Sequence, residues 1–279
     1  MSLVKKFIDK TKNEGLLVAL NSVFSHLKFR LTTASAVDKQ RKKLSIIINE
    51  SFDSTVRYGP FKGLKFSTDQ WWQSSNRANM LLGLYEQEIL ESLASVPKSY
   101  KTFIDLGAAD GYYAIGVLIN KLFENSYCFE MAEKGREVIK KNALLNRVSG
   151  NVSIHGAADK GFYKAIKGEH LSKSVLFVDI EGAEFDLFDR ELFGVFKNSI
   201  IFIELHDWFV EDGKRKLAKF RNDAKEFFNI TELTTSARDL SKFSELKNYS
   251  DSDRWLICSE GRDRLMTWFR LDPINPASA

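Results

Sequence analysis

The sequence is poor in the residues and runs that mark secreted or membrane-spanning chains. It has two cysteines among 279 residues, Cys128 and Cys258, far apart and without metal-ligand spacing. This usage argues against a disulfide-stabilised scaffold and favours two buried thiols in a reducing compartment. No apolar run approaches the ~20 residues of a membrane span, and the segment from Leu16 to Phe24 is interrupted by Asn21 and Ser22. We therefore expect a cytoplasmic chain.

Positive charge is concentrated in the N-terminal part. Residues 1–101 hold 16 Lys and Arg against 9 Asp and Glu, whereas residues 102–279 hold 25 against 28. A predicted amphipathic helix from Leu17 to Leu27 lies in the basic part. Such a helix can make peripheral contact with an anionic membrane or dock a partner, although we favour packing against its own domain. The basic residues are dispersed rather than clustered with stacking aromatics, so we expect no nucleic-acid partner.

From residue 101 onward, short β-prone runs alternate with helical stretches, which is typical of βαβ units on a parallel sheet. The pattern predicts a doubly wound, Rossmann-like α/β fold: a mostly parallel seven-stranded sheet with helices on both faces and an N-terminal helical and hairpin extension. Strands are predicted near 102–107, 126–130, 151–155, 174–179, 199–204, Asn229–Thr234 and Arg254–Ser259, and helices near 111–123, 132–146, 183–193 and 209–228.

Three regions follow from this pattern. Residues 1–98 form the extension, with a short hairpin at 56–67 and a helix over Met80–Leu93 that ends before Pro97. Residues 99–262 form the main domain. Residues 263–279, which contain Pro273 and Pro276, form a C-terminal tail.

A nucleotide-type site is predicted where the first strand ends. The segment from Phe103 to Gly111 runs from an apolar strand through a turn of small residues into an apolar helix. Small residues let the backbone approach a ligand, and ligands bind such sheets at the carboxyl ends of strands. The next strand, Ser126 to Glu130, ends about 20 residues downstream in an acid suited to accept both ribose hydroxyls.

A dinucleotide-binding dehydrogenase is the natural competitor for this segment. Its G-x-G-x-x-G fingerprint, counted from Gly107, requires glycine at Ala109 and Tyr112, and neither position is glycine. A site for S-adenosylmethionine (SAM) has no pyrophosphate to bind and places an acid such as Asp105 near the amino-acid portion. The segment therefore favours SAM over NAD.

These residues resemble class I SAM-dependent methyltransferases, and more narrowly the FkbM family of O-methyltransferases. Asp105 to Tyr113 is similar to the family motif D-x-G-A-N-x-G-Y-Y, with Ala109 where the family usually has Asn. Asp179 to Glu184 matches D-x-E-G-A-E in full, and Ile203 to His206 is similar to an I-E-x-H block. The spaced asparagines Asn142 and Asn146 also resemble that family.

The resemblance implies which residues contact the cofactor. Asp105, Gly107 and Gly111 would hold its methionine portion, and Glu130 its ribose. Ala158 and Asp159 would meet the adenine, and Glu86 would reach the amino group. The implied cofactor-binding residues are Glu86, Asp105, Gly107, Ala108, Gly111, Tyr112, Glu130, Ala158 and Asp159.

Ionisable side chains gather at the ends of two adjacent predicted strands, beside the expected cofactor. Methyl transfer to a hydroxyl requires alignment of the acceptor and removal of its proton. We predict Asp179, His206 and Glu181 as catalytic residues, with His206 or Asp179 as the general base. For Glu181 and Glu184, stabilisation of a helix N-terminus is the alternative explanation.

A second hypothesis makes Asp179, Glu204 and Asp207 ligands of a cation such as Mg²⁺, which would lower the pKa of the acceptor hydroxyl. The implied acceptor is a hydroxyl of a sugar, glycan or natural product. Trp71 and Trp72 would stack on it or pack the hairpin onto the core, and Trp208 and Phe209 are better placed for acceptor contact. The alternatives are a catalytically degenerate SAM-binding module and a nucleic-acid methyltransferase.

Overall fold

The computed structural model describes residues 36–69, 71 and 74–274. The chain divides into two compact units, Met1–Arg41 and Lys42–Ala279. The described part of the first unit is the start of helix α1 (Ala36–Ser51), and the other described elements belong to the second unit. The helix predicted from Leu17 to Leu27 lies outside the described residues, as does Trp72.

Seven strands form one sheet. They are β1 (Thr102–Leu106), β2 (Asn125–Phe129), β3 (Val152–His155), β4 (Ser174–Val178), β5 (Ile200–Glu204), β6 (Phe228–Thr234) and β7 (Thr267–Pro273). Their spatial order is β3-β2-β1-β4-β5-β7-β6, with β1 to β5 parallel and β7 antiparallel to both of its neighbours. The doubly wound, mostly parallel sheet predicted from the sequence is confirmed.

The remaining α-helices are α2 (Arg77–Leu81), α3 (Gln87–Ala94), α4 (Tyr112–Ile119), α5 (Glu133–Leu145), α6 (Gly168–Leu171), α7 (Glu184–Leu187), α8 (Arg190–Val195), α9 (Gly213–Lys225) and α10 (Asp251–Cys258). Short 3₁₀ helices cover Ser74–Asn76, Ser149–Asn151, Phe162–Ala165, Leu240–Lys242 and Ser244–Leu246. Within the described ranges, no helix combines the length and the apolar character that crossing a bilayer requires.

The sheet is covered on both faces. Every residue of β4 is buried, and successive side chains enter different cores: Val175 belongs to the same buried cluster as Ile115 of α4, and Leu176 belongs to the cluster that contains Phe220 of α9. Successive side chains of a strand point to opposite faces, so a strand buried on both faces is a continuous apolar run. This explains why β1, β4 and β5 are recognisable in the sequence.

The strand predicted at Arg254–Ser259 is wrong, because this segment lies in α10. Its start is set by Ser250, whose hydroxyl accepts a hydrogen bond from the Asp253 N–H at 3.2 Å, with Asp251 in the first turn. Serine followed by acids is a helix-start signal. The β-prone run after Asp253 concealed it.

The tail predicted at 263–279 is also wrong for Thr267–Pro273, which form β7. This strand lies between β5 and β6, and Trp268, Phe269 and Leu271 are buried. Pro273 stands at the end of the strand, where its missing N–H costs little. Proline was therefore a strand end rather than the mark of a tail.

Three predicted elements are shorter than expected or are divided into two. The hairpin at 56–67 reduces to one antiparallel bridge, Thr55 with Lys65. The helix predicted over Met80–Leu93 is split into α2 and α3, because Glu86 adopts a left-handed conformation at φ +48°. The helix predicted at 183–193 is likewise two helices, since the Asp189 carboxylate accepts from the Leu192 N–H at 3.0 Å and starts α8.

Candidate functional site

A cavity of about 410 Å³ lies where β1, β2 and β4 end, at the point where the strand order reverses between β1 and β4. Ligands of open α/β sheets bind at such a position. Most predicted site residues meet here: Glu86, Asp105, Gly107, Ala108, Tyr112, Glu130, Ala158, Asp179 and Glu181 all line the cavity.

The turn after β1 requires glycine at Gly107. This residue has φ +94°, and a Cβ there would lie 1.8 Å from the carbonyl oxygen of Asp179. The turn after β1 thus contacts the end of β4. Gly111, at φ +85°, precedes α4 and does not line the cavity, so the structure gives it a conformational role rather than the predicted cofactor contact.

Glu130 occupies the position after β2. Its Oε2 accepts a hydrogen bond from the Ala109 N–H at 2.8 Å, and its Oε1 accepts one from the Ala132 N–H at 2.7 Å. Burial raises the pKa of Glu130, and these two hydrogen bonds oppose the rise. Each carboxylate oxygen keeps a second lone pair, which is what two ribose hydroxyls need as acceptors.

The far end of the cavity beyond β2 and β3 is apolar. Phe129, Met131, Ala157 and Ala158 line it, as expected of a slot for a flat base. Asp159 does not line it: its Oδ1 accepts from the Gly161 N–H at 2.7 Å in a surface turn. The structure therefore does not place Asp159 with the predicted adenine contacts.

The opposite end of the cavity is acidic. Burial raises the pKa of Asp105 to about 8 and that of Glu86 to about 8, the latter against the effect of nearby Arg262. The Tyr113 hydroxyl donates to Glu86 Oε2 at 2.6 Å, whereas the buried Tyr112 hydroxyl has no hydrogen-bond partner among the described residues. A buried acidic wall of this kind suits a cationic ligand.

His206 lies among carboxylates just after β5, and its side chain is 4% exposed. Its Nε2 is 3.6 Å from Glu181 Oε2, 3.8 Å from Asp179 Oδ1 and 3.9 Å from Glu204 Oε2. Burial alone would lower the pKa of His206, but the neighbouring carboxylates outweigh it and raise the pKa above its ordinary value. The three predicted catalytic residues are thus brought together.

Glu184 connects the two sequence blocks that form this cluster. Its Oε1 accepts from the His206 N–H at 2.9 Å and lies 3.3 Å from His206 Nδ1, and its Oε2 accepts from the Gly182 N–H at 2.8 Å. Glu184 is fully buried. It therefore joins the backbone of the two blocks beside the imidazole, a role that neither the catalytic nor the helix-terminus explanation had assigned to it.

The carboxylates suited to a cation differ from the predicted set. Asp179, Glu181 and His206 each offer a ligand atom, and these atoms lie within 4.8 Å of one another. Glu204 instead accepts from the Arg262 guanidinium, and burial raises the pKa of both Glu204 and Asp179. Asp207 lies outside the group that the structure assembles.

Sequence analysis did not predict two further features of the site. Arg262 enters the site from the connection before β7, and no motif in the surrounding sequence indicates this role. Asn142 and Asn146, noted only as a resemblance, bind the backbone of Ser67 and Lys65 and so hold the segment that leads to Trp71. Trp71 lines the cavity.

The residues present fit SAM. Its sulfonium and ammonium charges would face the acidic wall of Asp105 and Glu86. Glu130 offers acceptors for a ribose, and the unpartnered Tyr112 hydroxyl offers a polar contact inside the cavity. A pyrophosphate, in contrast, would meet these carboxylates as an anion.

Comparison with known proteins adds little to this geometry. No family model and no curated protein matches the sequence. Solved structures that resemble it include the O-methyltransferase from Bacillus cereus in complex with S-adenosylhomocysteine (SAH), at 11% identity and a TM-score of 0.43 over 90% of this chain and 97% of that chain. TYW2 from M. jannaschii in complex with AdoMet aligns at 12% identity and 0.40, over 68% and 78%. The M1A22 tRNA methyltransferase TrmK from B. subtilis aligns at 10% and 0.39, over 65% and 64%. These values assign neither a family nor a reaction to this chain.

Proposed function

We propose that the protein is a SAM-dependent O-methyltransferase that acts on a hydroxyl of a sugar, glycan or natural-product acceptor. The observation that carries the proposal is the continuity of one site. The cavity with Glu130 at one end and buried acids at the other opens directly onto Asp179 and Glu181, which contact His206.

SAM, when bound, supplies a methyl group on a positively charged sulfur. The protein's task is to align an acceptor hydroxyl and to take its proton. His206 Nε2 is suited to this because Glu184 lies against Nδ1 and orients the ring. The carboxylates of Asp179 and Glu181 stabilise the imidazolium that proton uptake produces. We assign His206 as the base, and Asp179 and Glu181 as groups that hold its charge and the acceptor.

A metal-assisted variant of the same reaction is the second candidate. Asp179, Glu181 and His206 are the residues that would hold a divalent cation, and a bound cation would lower the pKa of the acceptor hydroxyl. In that case His206 is a ligand rather than a base. Methyl transfer that is unchanged after exhaustive EDTA treatment excludes this variant, whereas loss that Mg²⁺ restores supports it.

Aromatic side chains beside His206 support a ring-shaped acceptor. Trp208 and Phe209 are 44% and 57% exposed, and the Trp208 ring centre is 6.1 Å from that of His206. The Arg264 guanidinium stacks over Trp208 at 3.8 Å and holds the indole in place. Exposed, oriented indoles bind the apolar face of a sugar ring well.

Calorimetric titration tests the cofactor assignment directly. We expect SAM and SAH to bind and NAD not to bind. NAD binding without SAM binding would contradict the proposal. With SAM binding established, transfer of a labelled methyl group to polysaccharide, lipid-linked sugar and small-molecule acceptors tests the acceptor class.

A further inference from the structure

The chain leaves the sheet between two strands that pair with each other. β6 ends at Thr234 and β7 begins at Thr267, and these two residues are register partners. Antiparallel neighbours are usually joined by about 2–5 residues, whereas the connection here covers residues 235–266. We name this connection the excursion. Its length indicates that it serves a purpose beyond joining two strands.

The excursion delivers one guanidinium to three carboxylates. Arg262 Nη2 contacts Glu86 Oε1, its Nη1 contacts Glu204 Oε1, and its Nε lies 2.8 Å from Glu260 Oε2. The three acids come from the start of α3, the end of β5 and the excursion itself. A planar guanidinium with fixed donor directions can satisfy such an arrangement, whereas an ammonium group cannot reach all three.

Glu86 is the strained member of this group. Its φ of +48° is unfavourable for a residue with a Cβ and persists only where neighbouring groups hold it. Its backbone N–H donates to Glu260 Oε1 at 3.0 Å, and its carboxylate accepts from Arg262 and from the Tyr113 hydroxyl. The excursion therefore holds both the backbone and the side chain of Glu86.

The strained backbone of Glu86 sets the position of its carboxylate at the cavity. Glu86 lines the acidic end, and each of its carboxylate oxygens keeps a lone pair beyond the bond it already accepts. A left-handed residue between α2 and α3 directs this carboxylate into the cavity wall. Without the contacts to Arg262 and Glu260, the Glu86 backbone would relax and its carboxylate would move.

We propose that Arg262 is a positioning residue of the cofactor site: with Glu260, it holds the Glu86 carboxylate where it receives the ammonium group of SAM or SAH. This inference rests on the proposed function. It assigns to the excursion a part in cofactor binding rather than only in the stability of the sheet edge.

A pair of ligands separates positioning from general stability. SAH and 5′-methylthioadenosine share the adenosine and the thioether, but only SAH carries the amino-acid portion. In calorimetric titrations, Arg262→Gln should weaken SAH about 10- to 100-fold, since a charged hydrogen bond to the ammonium group is lost. The affinity for 5′-methylthioadenosine should change by less than about 2-fold, because that ligand makes no contact with Glu86.

Two further variants keep the test decisive. Arg262→Gln leaves three carboxylates without their cation, so this variant can fail to fold. In that case Arg262→Lys, which keeps the positive charge, is the variant that tests the positioning role. It should also weaken SAH selectively, by about 5- to 10-fold. Combined with Glu86→Gln, it should weaken SAH no further than Glu86→Gln alone, because Arg262 acts through Glu86.

Arg254→Gln is the matched control. Arg254 belongs to the excursion and donates to the Leu240 carbonyl oxygen at 3.4 Å, but it has no hydrogen bond or ion pair with Glu86 or Glu260 and does not line the cavity. It should lower the melting temperature without changing the ratio of the two affinities. Equal losses for both ligands in an Arg262 variant, or an unchanged SAH affinity, would overturn the positioning role. If the unaltered protein bound no SAH, the proposed function would fail as well, and the titration of that protein alone would show it.

Discussion

Asp179 lies between the cavity and His206. It lines the cavity, and its Oδ1 lies 3.8 Å from His206 Nε2. The sequence placed it here because it follows an apolar strand in this class of sheet. The sequence did not show that Glu184, in the same block as Glu181, binds the backbone N–H of His206.

Replacement of Asp179 by asparagine tests the catalytic cluster. Asp179→Asn keeps the shape but can neither take a proton nor carry charge, so we expect kcat to fall about 10²- to 10⁴-fold. The Kd for SAM should stay within about 3-fold, since Glu86 and Asp105 remain. Asp186→Asn, at an exposed carboxylate paired with Lys216, is the control. Full activity in Asp179→Asn would remove this residue from the mechanism.

Ala109 adopts a backbone conformation that asparagine favours. Its φ is +49°, a left-handed conformation that asparagine adopts more readily than alanine. Ala109→Asn should therefore raise the free energy of unfolding by about 0.5–1 kcal/mol, measured by urea denaturation. Arg147→Asn, at a residue with φ +60°, is the matched control. If Arg147→Asn raised the free energy of unfolding and Ala109→Asn lowered it, the asparagine side chain would not be accommodated in the turn at the cavity.

At the scale of elements, α5 fastens the segment that leads to Trp71. The buried Asn142 accepts from the Ser67 N–H at 2.8 Å and donates to the Asp110 carbonyl oxygen at 2.9 Å. The helix itself was predicted from its period, but amide-to-backbone contacts across 75 residues have no local pattern. The same limit explains the misassigned α10 and β7, whose roles depend on what they pack against.

Removal of this amide should loosen the segment. Asn142→Ala leaves the half-buried Ser67 N–H and the buried Asp110 carbonyl without this partner, so the free energy of unfolding should fall by about 2–4 kcal/mol in urea denaturation. Asn151→Ala, which removes one exposed bond to the Glu124 carbonyl, should cost no more than about 1 kcal/mol. Similar losses in both variants would contradict the proposed fastening.

For the molecule as a whole, the main electrostatic feature is the set of buried carboxyl groups that line the cavity. Asp105 and Glu86 both have a folded-state pKa of about 8, far above the values of free carboxylic acids. Such a concentration of desolvated carboxyls is unfavourable for folding and favourable for a cation. The stability of the apo protein and its cofactor affinity should therefore respond to pH in opposite senses.

The stability of the protein should fall as pH rises across this range. A carboxyl whose folded pKa is raised holds its proton in the folded state after the unfolded chain has lost it, so its stabilisation is complete below about pH 4 and is lost toward pH 8. Asp105→Asn removes one such group and should flatten the fall by up to about 1.4 kcal/mol per pH unit. Urea denaturation of both proteins at pH 5, 7 and 9 gives the pH dependence of the free energy of unfolding. The same pH dependence in both proteins would contradict the raised pKa of Asp105.

Local sequence patterns were enough to predict the strands β1 to β6, the glycine turn, Glu130 and the cluster of Asp179, Glu181 and His206. Each depends on residues within one strand or turn, and the rule that ligands meet strand ends brings them together. The place of β7 in the sheet and the contact of Arg262 with Glu86 became visible only in the three-dimensional structure. It alone also showed that Glu184 rather than Asp207 completes the His206 cluster. These contacts depend on the path of the chain between elements, which no local periodicity encodes.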